Sequence, residues 1–272
     1  MIFGGLMMDI DKRFNVKVFG QGTQFMIFAH GFGCDQHMWR YITPAFEKYF
    51  KLVLFDYVGH GKSDSAAYHP EKYSSLQGYA DDVLEICKAH SIANAIFIGH
   101  SVSAMVGVLA AVRQPQTFQK LVMVGPSPCY INQGDYYGGF SREDIESLLS
   151  SLESNYLGWS SIMAPVIMGN GDRPELGEEL TNSFCSTDPE IAKQFAQVTF
   201  FSDNRDDLLK LTVPALILQC SEDVIAPQQV GQYVAKQLAQ STLVVLEATG
   251  HCPHLSAPDE TIAAIEHFLY QN

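Results

Sequence analysis

Seven short runs of β-branched and aromatic residues recur along the chain, and helical patterns separate several of them. The runs are Val16–Phe19, Phe25–Ala29, Leu52–Phe55, Ala95–Ile98, Leu121–Val124, Ala215–Gln219 and Leu243–Glu247. Between them, Leu76, Ala80, Val83, Leu84 and Cys87 repeat at three- and four-residue steps, which places them on one face of a helix. Met105, Leu109 and Val112 do the same, as do Val230, Val234 and Leu238, and then Ile262, Ile265 and Leu269. Continuous apolar strands alternating with amphipathic helices predict an α/β fold, a mostly parallel, doubly wound sheet covered on both faces. One stretch breaks the rhythm. Residues 131–207 offer helical patterns (Ile145, Leu148, Leu149, Leu152; then Ile191, Phe195, Val198) and no convincing strand. About seventy-five residues is too long for an ordinary loop. The expectation is a core built from 1–130 and 208–272, with 131–207 as a helical cap over the C-terminal edge of the sheet, where open α/β folds place their sites.

Composition narrows the function classes. The 272 residues are 47% hydrophobic and carry a net charge of −13, with no basic run, so a nucleic-acid partner is not expected. The longest apolar run, Ala104–Val112, is about half a membrane span. The N-terminal MIFGGLMMDIDKR lacks the basic lead, long apolar stretch and cleavage site of a signal peptide, and the six cysteines stand singly. Together these predict a cytoplasmic protein with reduced thiols and no membrane partner. No H-E-x-x-H, clustered Cys/His set, P-loop or G-x-G-x-x-G follows a strand, so neither a metal nor another cofactor is expected.

The chemistry concentrates at strand ends. Gly99-His100-Ser101-Val102-Ser103 follows one strand and opens a helix, which would put the Ser101 hydroxyl on a tight turn above the sheet. The usual pattern is G-x-S-x-G, and Ser103 stands where its last glycine belongs. Serine is small, and its hydroxyl is expected to bond back to a preceding helix carbonyl, making the change nearly neutral. A serine hydroxyl needs a base oriented by an acid, and in a doubly wound hydrolase these follow in the order Ser, Asp/Glu, His. Asp223 and His251 each lie just past a later strand, with Glu222 as the rival acid. His30-Gly31-Phe32-Gly33 follows an early strand, and its glycines allow a turn that would aim the Phe32 amide at a developing oxyanion, with the Val102 amide as second donor. His30, His100 and His254 read as structural neighbours.

The chain resembles the α/β-hydrolases, and within them the RsbQ group of bacterial stress-response regulators, relatives of plant strigolactone and karrikin receptors. The segments that carry this are His30–Trp39 (HGFGCDQHMW), Phe55–Asp64 (FDYVGHGKSD), Gly99–Val102 (GHSV), Met123–Asn132 (MVGPSPCYIN), Phe184–Ala196 (FCSTDPEIAKQFA), Gln219–Pro227 (QCSEDVIAP) and Gly250–Ser256 (GHCPHLS). The resemblance implies a triad at Ser101, Asp223 and His251, and oxyanion amides at Phe32 and Val102. It also implies a four-helix cap over an apolar pocket to which Trp159, Met163 and Phe200 contribute. The expected activity is acyl-enzyme hydrolysis of a small, largely apolar ester, in a setting of stress-response signalling. The alternative is a ligand-sensing regulator that activates a partner phosphatase with a sensor domain, hydrolysis being secondary. A pure binding module is the third class.

Overall fold

The computed structural model describes residues 9–270. The first eight residues of the segment weighed above as a leader lie outside the described residues. Seven strands run β1 (Lys17–Phe19), β2 (Phe25–Ala29), β3 (Lys51–Leu54), β4 (Ala95–His100), β5 (Phe118–Val124), β6 (Ala215–Glu222) and β7 (Ser241–Thr249). They form one sheet in the order β1-β3-β2-β4-β5-β6-β7. Only β1 is antiparallel to its neighbour; every other pairing is parallel.

Period-two alternation divides the apolar strands between two faces. On β4, Ala95 and Phe97 join one core cluster while Ile96 and Ile98 join the other. On β6, Ala215 and Ile217 divide from Leu216 and Leu218 in the same way. Helices α1 (Leu76–Ala89) and α2 (Val102–Arg113) cover the first face with Tyr79, Val83, Met105 and Leu109. The predicted strands are all present, and β4, β6 and β7 run past their apolar runs. The ladder is made by backbone groups, so pairing continues through polar residues, as in Glu222 against Thr249. Ser101, Asp223 and Gly250 consequently each follow directly on the last residue of a strand.

Between β5 and β6 stand four helices of 12 or 13 residues, α3 (Arg142–Ser154), α4 (Tyr156–Met168), α5 (Pro174–Cys185) and α6 (Pro189–Phe200), followed by the single turn Arg205–Leu208. Each start has a local cause. A Ser141–Asp144 capping box opens α3, the Asn155 side chain caps α4, and Asp188 caps α6 ahead of Pro189. Ile145, Leu149, Leu180 and Phe184 on their buried faces belong to the same cluster as the second face of the sheet, while Phe195 of α6 joins the first. Helices α7 (Gln228–Gln237) and α8 (Pro258–Tyr270) complete the core. No helix among the described residues is long and apolar enough to cross a membrane.

Candidate active site

The turn from β4 into α2 holds Ser101 at φ 56° and ψ −123°, a left-handed conformation that a non-glycine residue adopts at a cost of about 1–3 kcal/mol. Two features hold it there. The Ser101 amide donates to the Val124 carbonyl at 2.8 Å, tying the turn to β5. Gly99 lets the first turn of α2 fold over the strand, since a Cβ on Gly99 would lie 2.5 Å from the Ser103 carbonyl oxygen. The close backbone approach that the motif demands therefore falls on Gly99, not on position 103.

His251 Nε2 lies 2.8 Å from Ser101 Oγ, and His251 Nδ1 lies 2.7 Å from Asp223 Oδ2. The other carboxylate oxygen, Oδ1, accepts from the amides of Ile225 (2.8 Å) and Ala226 (3.0 Å), so the loop after β6 fixes the carboxylate plane. An ionised carboxylate only accepts; His251 Nδ1 must donate to it, leaving the Nε2 lone pair facing the serine hydroxyl. Ser101, Asp223 and His251 are all buried, whereas Glu222 is exposed. The carboxylate that meets the imidazole is thus that of Asp223.

The His251 loop is seated on α4. Gly250 has φ +80°, and a side chain there would collide with the Met168 carbonyl. The His251 amide donates to the Ile167 carbonyl at 2.9 Å, and Asn170 Nδ2 donates to the Thr249 carbonyl at 3.0 Å. Beneath the ring, His100 Nε2 donates to the His251 carbonyl at 2.8 Å.

On the opposite side, Phe32 lines the cavity above Ser101 and sets its ring edge-on to Phe184, centroids 5.4 Å apart. Among the described residues neither the Phe32 nor the Val102 amide donates to another group, and Val102, first in α2, has no intrahelical acceptor. His30 Nε2 accepts the Tyr57 amide (3.1 Å), which puts the ring proton on Nδ1, and Nδ1 donates to the Gly31 carbonyl (2.9 Å). Burial lowers the His30 pKa and keeps this imidazole neutral. The Ser103 hydroxyl does not bond back within its helix, as the sequence suggested. It donates to the His30 carbonyl and lies 2.9 Å from Tyr57 Oη.

The cavity over Ser101 measures about 30 Å³. Trp159 and Phe200 line it as expected; Met163 does not, being half-buried and packed against the apolar cluster instead. Sequence reasoning missed Tyr130 and Thr199, which line the cavity with buried hydroxyls, that of Tyr130 interacting with Ser101. Burial pushes the Tyr130 phenol up to about 12, so it stays protonated at neutral pH. A larger groove of about 1000 Å³, lined by Gln194, Gln197 and Phe201 among others, contains none of the three hydrogen-bonded residues.

One buried cluster has ligand chemistry: His100, Cys252 and His254, whose donor atoms lie within 4.8 Å of one another. Burial holds the Cys252 thiol well above its ordinary value, and His100 Nε2 is committed to a carbonyl. With that thiol protonated and that nitrogen occupied, the three side chains pack as neutral groups. His254 packs between Trp39 and His100, tilted against both rings, with centroids 4.7 Å and 4.5 Å away.

A doubly wound sheet with a serine on its central strand-to-helix turn defines the class, and the chain belongs to the alpha/beta hydrolase family, whose profile matches residues 26–264. It is 38% identical over 265 residues to a karrikin insensitive 2 receptor of Petunia hybrida, covering 97% of this chain and 98% of that one. A strigolactone esterase of Arabidopsis thaliana is 37% identical over 251 residues, 92% of this chain and 94% of the relative. Among solved structures, a hydrolase from Oleispira antarctica superposes with a TM-score of 0.94 at 43% identity, covering 97% of both chains.

Proposed function

We propose that the protein is a serine carboxylesterase acting on small, largely apolar esters. The observation that carries this is the unbroken series from Ser101 Oγ to His251 Nε2 and from His251 Nδ1 to Asp223, at 2.8 Å and 2.7 Å. In this reading His251 takes the Ser101 proton as Oγ attacks the ester carbonyl, and the Phe32 and Val102 amides receive the tetrahedral oxyanion. Collapse of that intermediate expels the alcohol, which takes the proton from His251 and leaves an acyl-serine. Water, deprotonated by His251, then attacks the acyl carbon and releases the carboxylic acid. Asp223 holds the imidazole in the tautomer that can accept from serine. The segment 131–207 serves as the lid, closing an apolar space with Trp159, Phe184 and Phe200. The reading places the work in the cytoplasm, on a small-molecule partner.

Relatives named as receptors favour a second reading, a ligand-sensing regulator with hydrolysis secondary; the resemblance to the RsbQ group would make its partner a phosphatase with a sensor domain. The test of the first reading is Ser101→Ala with a short p-nitrophenyl ester. Turnover is expected to fall by about 10³-fold or more with the melting temperature preserved. A fluorophosphonate should phosphonylate Ser101 Oγ of the native protein with loss of fluoride, and leave the variant unlabelled. Activity near wild type in Ser101→Ala overturns the assignment.

A further inference from the structure

We propose that Ser103 is a positioning residue for the oxyanion hole, bridging the two backbone elements that carry its donors. The proposal rests on the esterase reading above. Ser103 is fully buried, and its side chain reaches out of α2 to the loop after β2. A hydroxyl has one proton, and a carbonyl cannot donate, so Ser103 gives its proton to the His30 oxygen. The 2.9 Å contact with Tyr57 is then a bond from the phenol to Ser103 Oγ. Tyr57 donates to Ser103 and Ser103 to the His30 carbonyl, one directed hydrogen-bond series across three separate chain segments.

Two rigid planes make this matter for the oxyanion. The Phe32 N–H and the Gly31 carbonyl belong to one peptide unit, so whatever orients the carbonyl orients the amide. The Gly31 carbonyl is held by His30 Nδ1. His30 is in turn held at Nε2 by the Tyr57 amide and at its carbonyl by Ser103. The second donor, the Val102 amide, precedes Ser103 in the first turn of α2. One hydroxyl thus fixes the offset between the Phe32 and Val102 amides. A glycine at 103 would keep the backbone amide of the helix and leave that offset unbridged.

The experiment compares Ser103→Ala, Ser103→Gly and Tyr57→Phe with wild type, using p-nitrophenyl acetate turnover, melting temperature, and affinity for a boronic acid that forms a tetrahedral adduct with serine. Removal of an oxyanion donor costs about 10²–10³ in kcat, and a donor left in place but loosened should cost a part of that, about tenfold or more. Ser103→Ala and Ser103→Gly are expected to lower kcat by that factor with KM within about twofold, and to weaken the boronate in the same proportion. Tyr57→Phe removes only the proton given to Ser103, keeps the ring packed, and should move kcat and boronate affinity in the same direction. It also serves if the Ser103 variants fail to fold. Wild-type kcat and boronate affinity in a folded variant overturn the proposal, and so does a loss confined to KM or melting temperature. Either result leaves the esterase reading standing, since that reading falls only if Ser101→Ala remains active.

Discussion

Replacing Asp223 with Asn is expected to reverse the proton arrangement of the site. The carboxylate is held unevenly, with Oδ1 accepting from the Ile225 and Ala226 amides and Oδ2 from His251. Two backbone donors would keep the carbonyl oxygen of an asparagine at the Oδ1 position, because turning it over would set NH₂ against two N–H groups. Its NH₂ then faces His251 Nδ1, which has to accept instead of donate. The ring proton moves to Nε2, and the lone pair that receives the serine proton is lost. Such an inversion is worth about 10³–10⁴ in kcat, or roughly 4–5.5 kcal/mol at 1.36 kcal/mol per tenfold. The assay is p-nitrophenyl acetate turnover beside a thermal melt. Both backbone bonds to Oδ1 survive the substitution, so the melt should shift little. Glu222→Gln is the control, expected within about twofold of wild type, because Glu222 is exposed and pairs with Thr249 through its backbone. An Asp223→Asn enzyme within tenfold of wild type, or a larger loss in Glu222→Gln, would refute the argument.

Two further outcomes follow from the burial of particular groups. A cavity of about 30 Å³ walled by Trp159, Phe184 and Phe200 should favour acetate over octanoate esters, and Trp159→Ala should narrow that difference; equal rates for both chain lengths in wild type contradict a closed lid. Acid should unfold the protein early. Burial lowers the pKa of His30, His60, His100 and His254, with His60 and His254 at about 3. Below the ordinary histidine value of 6.5 the unfolded chain binds protons that the folded chain refuses. Stability therefore falls as pH drops from 6.5, by about 1.4 kcal/mol per pH unit for each of His60 and His254. The Asp82 carboxyl, raised to about 6 chiefly by burial, offsets one of them between pH 6 and its ordinary value. Urea midpoints at pH 7 and pH 5 provide the check, and equal midpoints rule the effect out.

The parts of the site legible in the sequence are those fixed by position relative to a strand. Ser101, Asp223 and His251 could be singled out because a parallel sheet delivers the C-terminal ends of its strands to one edge, so post-strand residues converge whatever lies between them. Ser103 was misread for the opposite reason. Its partners, Tyr57 and His30, are 46 and 73 residues away, and helical periodicity reports only on neighbours within the helix. Met163 and Trp159 are four apart on α4, yet only Trp159 reaches the cavity, and Tyr130 and Thr199 became visible only once β5 and α6 were brought together. Pocket walls are tertiary objects, and local pattern carries little of them.

The seating of the His251 loop on α4 bears on how such proteins exchange parts. The imidazole answers to a carbonyl of Ile167, and Gly250 is crowded by the end of the same helix. The helical segment is therefore not an interchangeable roof. A chimaera that takes 131–207 from a relative imports the bearing on which its base turns as well as a new set of walls. A graft chosen for cavity shape alone can silence the enzyme without altering Ser101, Asp223 or His251. The same coupling works in reverse: any swing of this segment would have to leave the C-terminal end of α4 in place, or else carry His251 out of reach of Ser101.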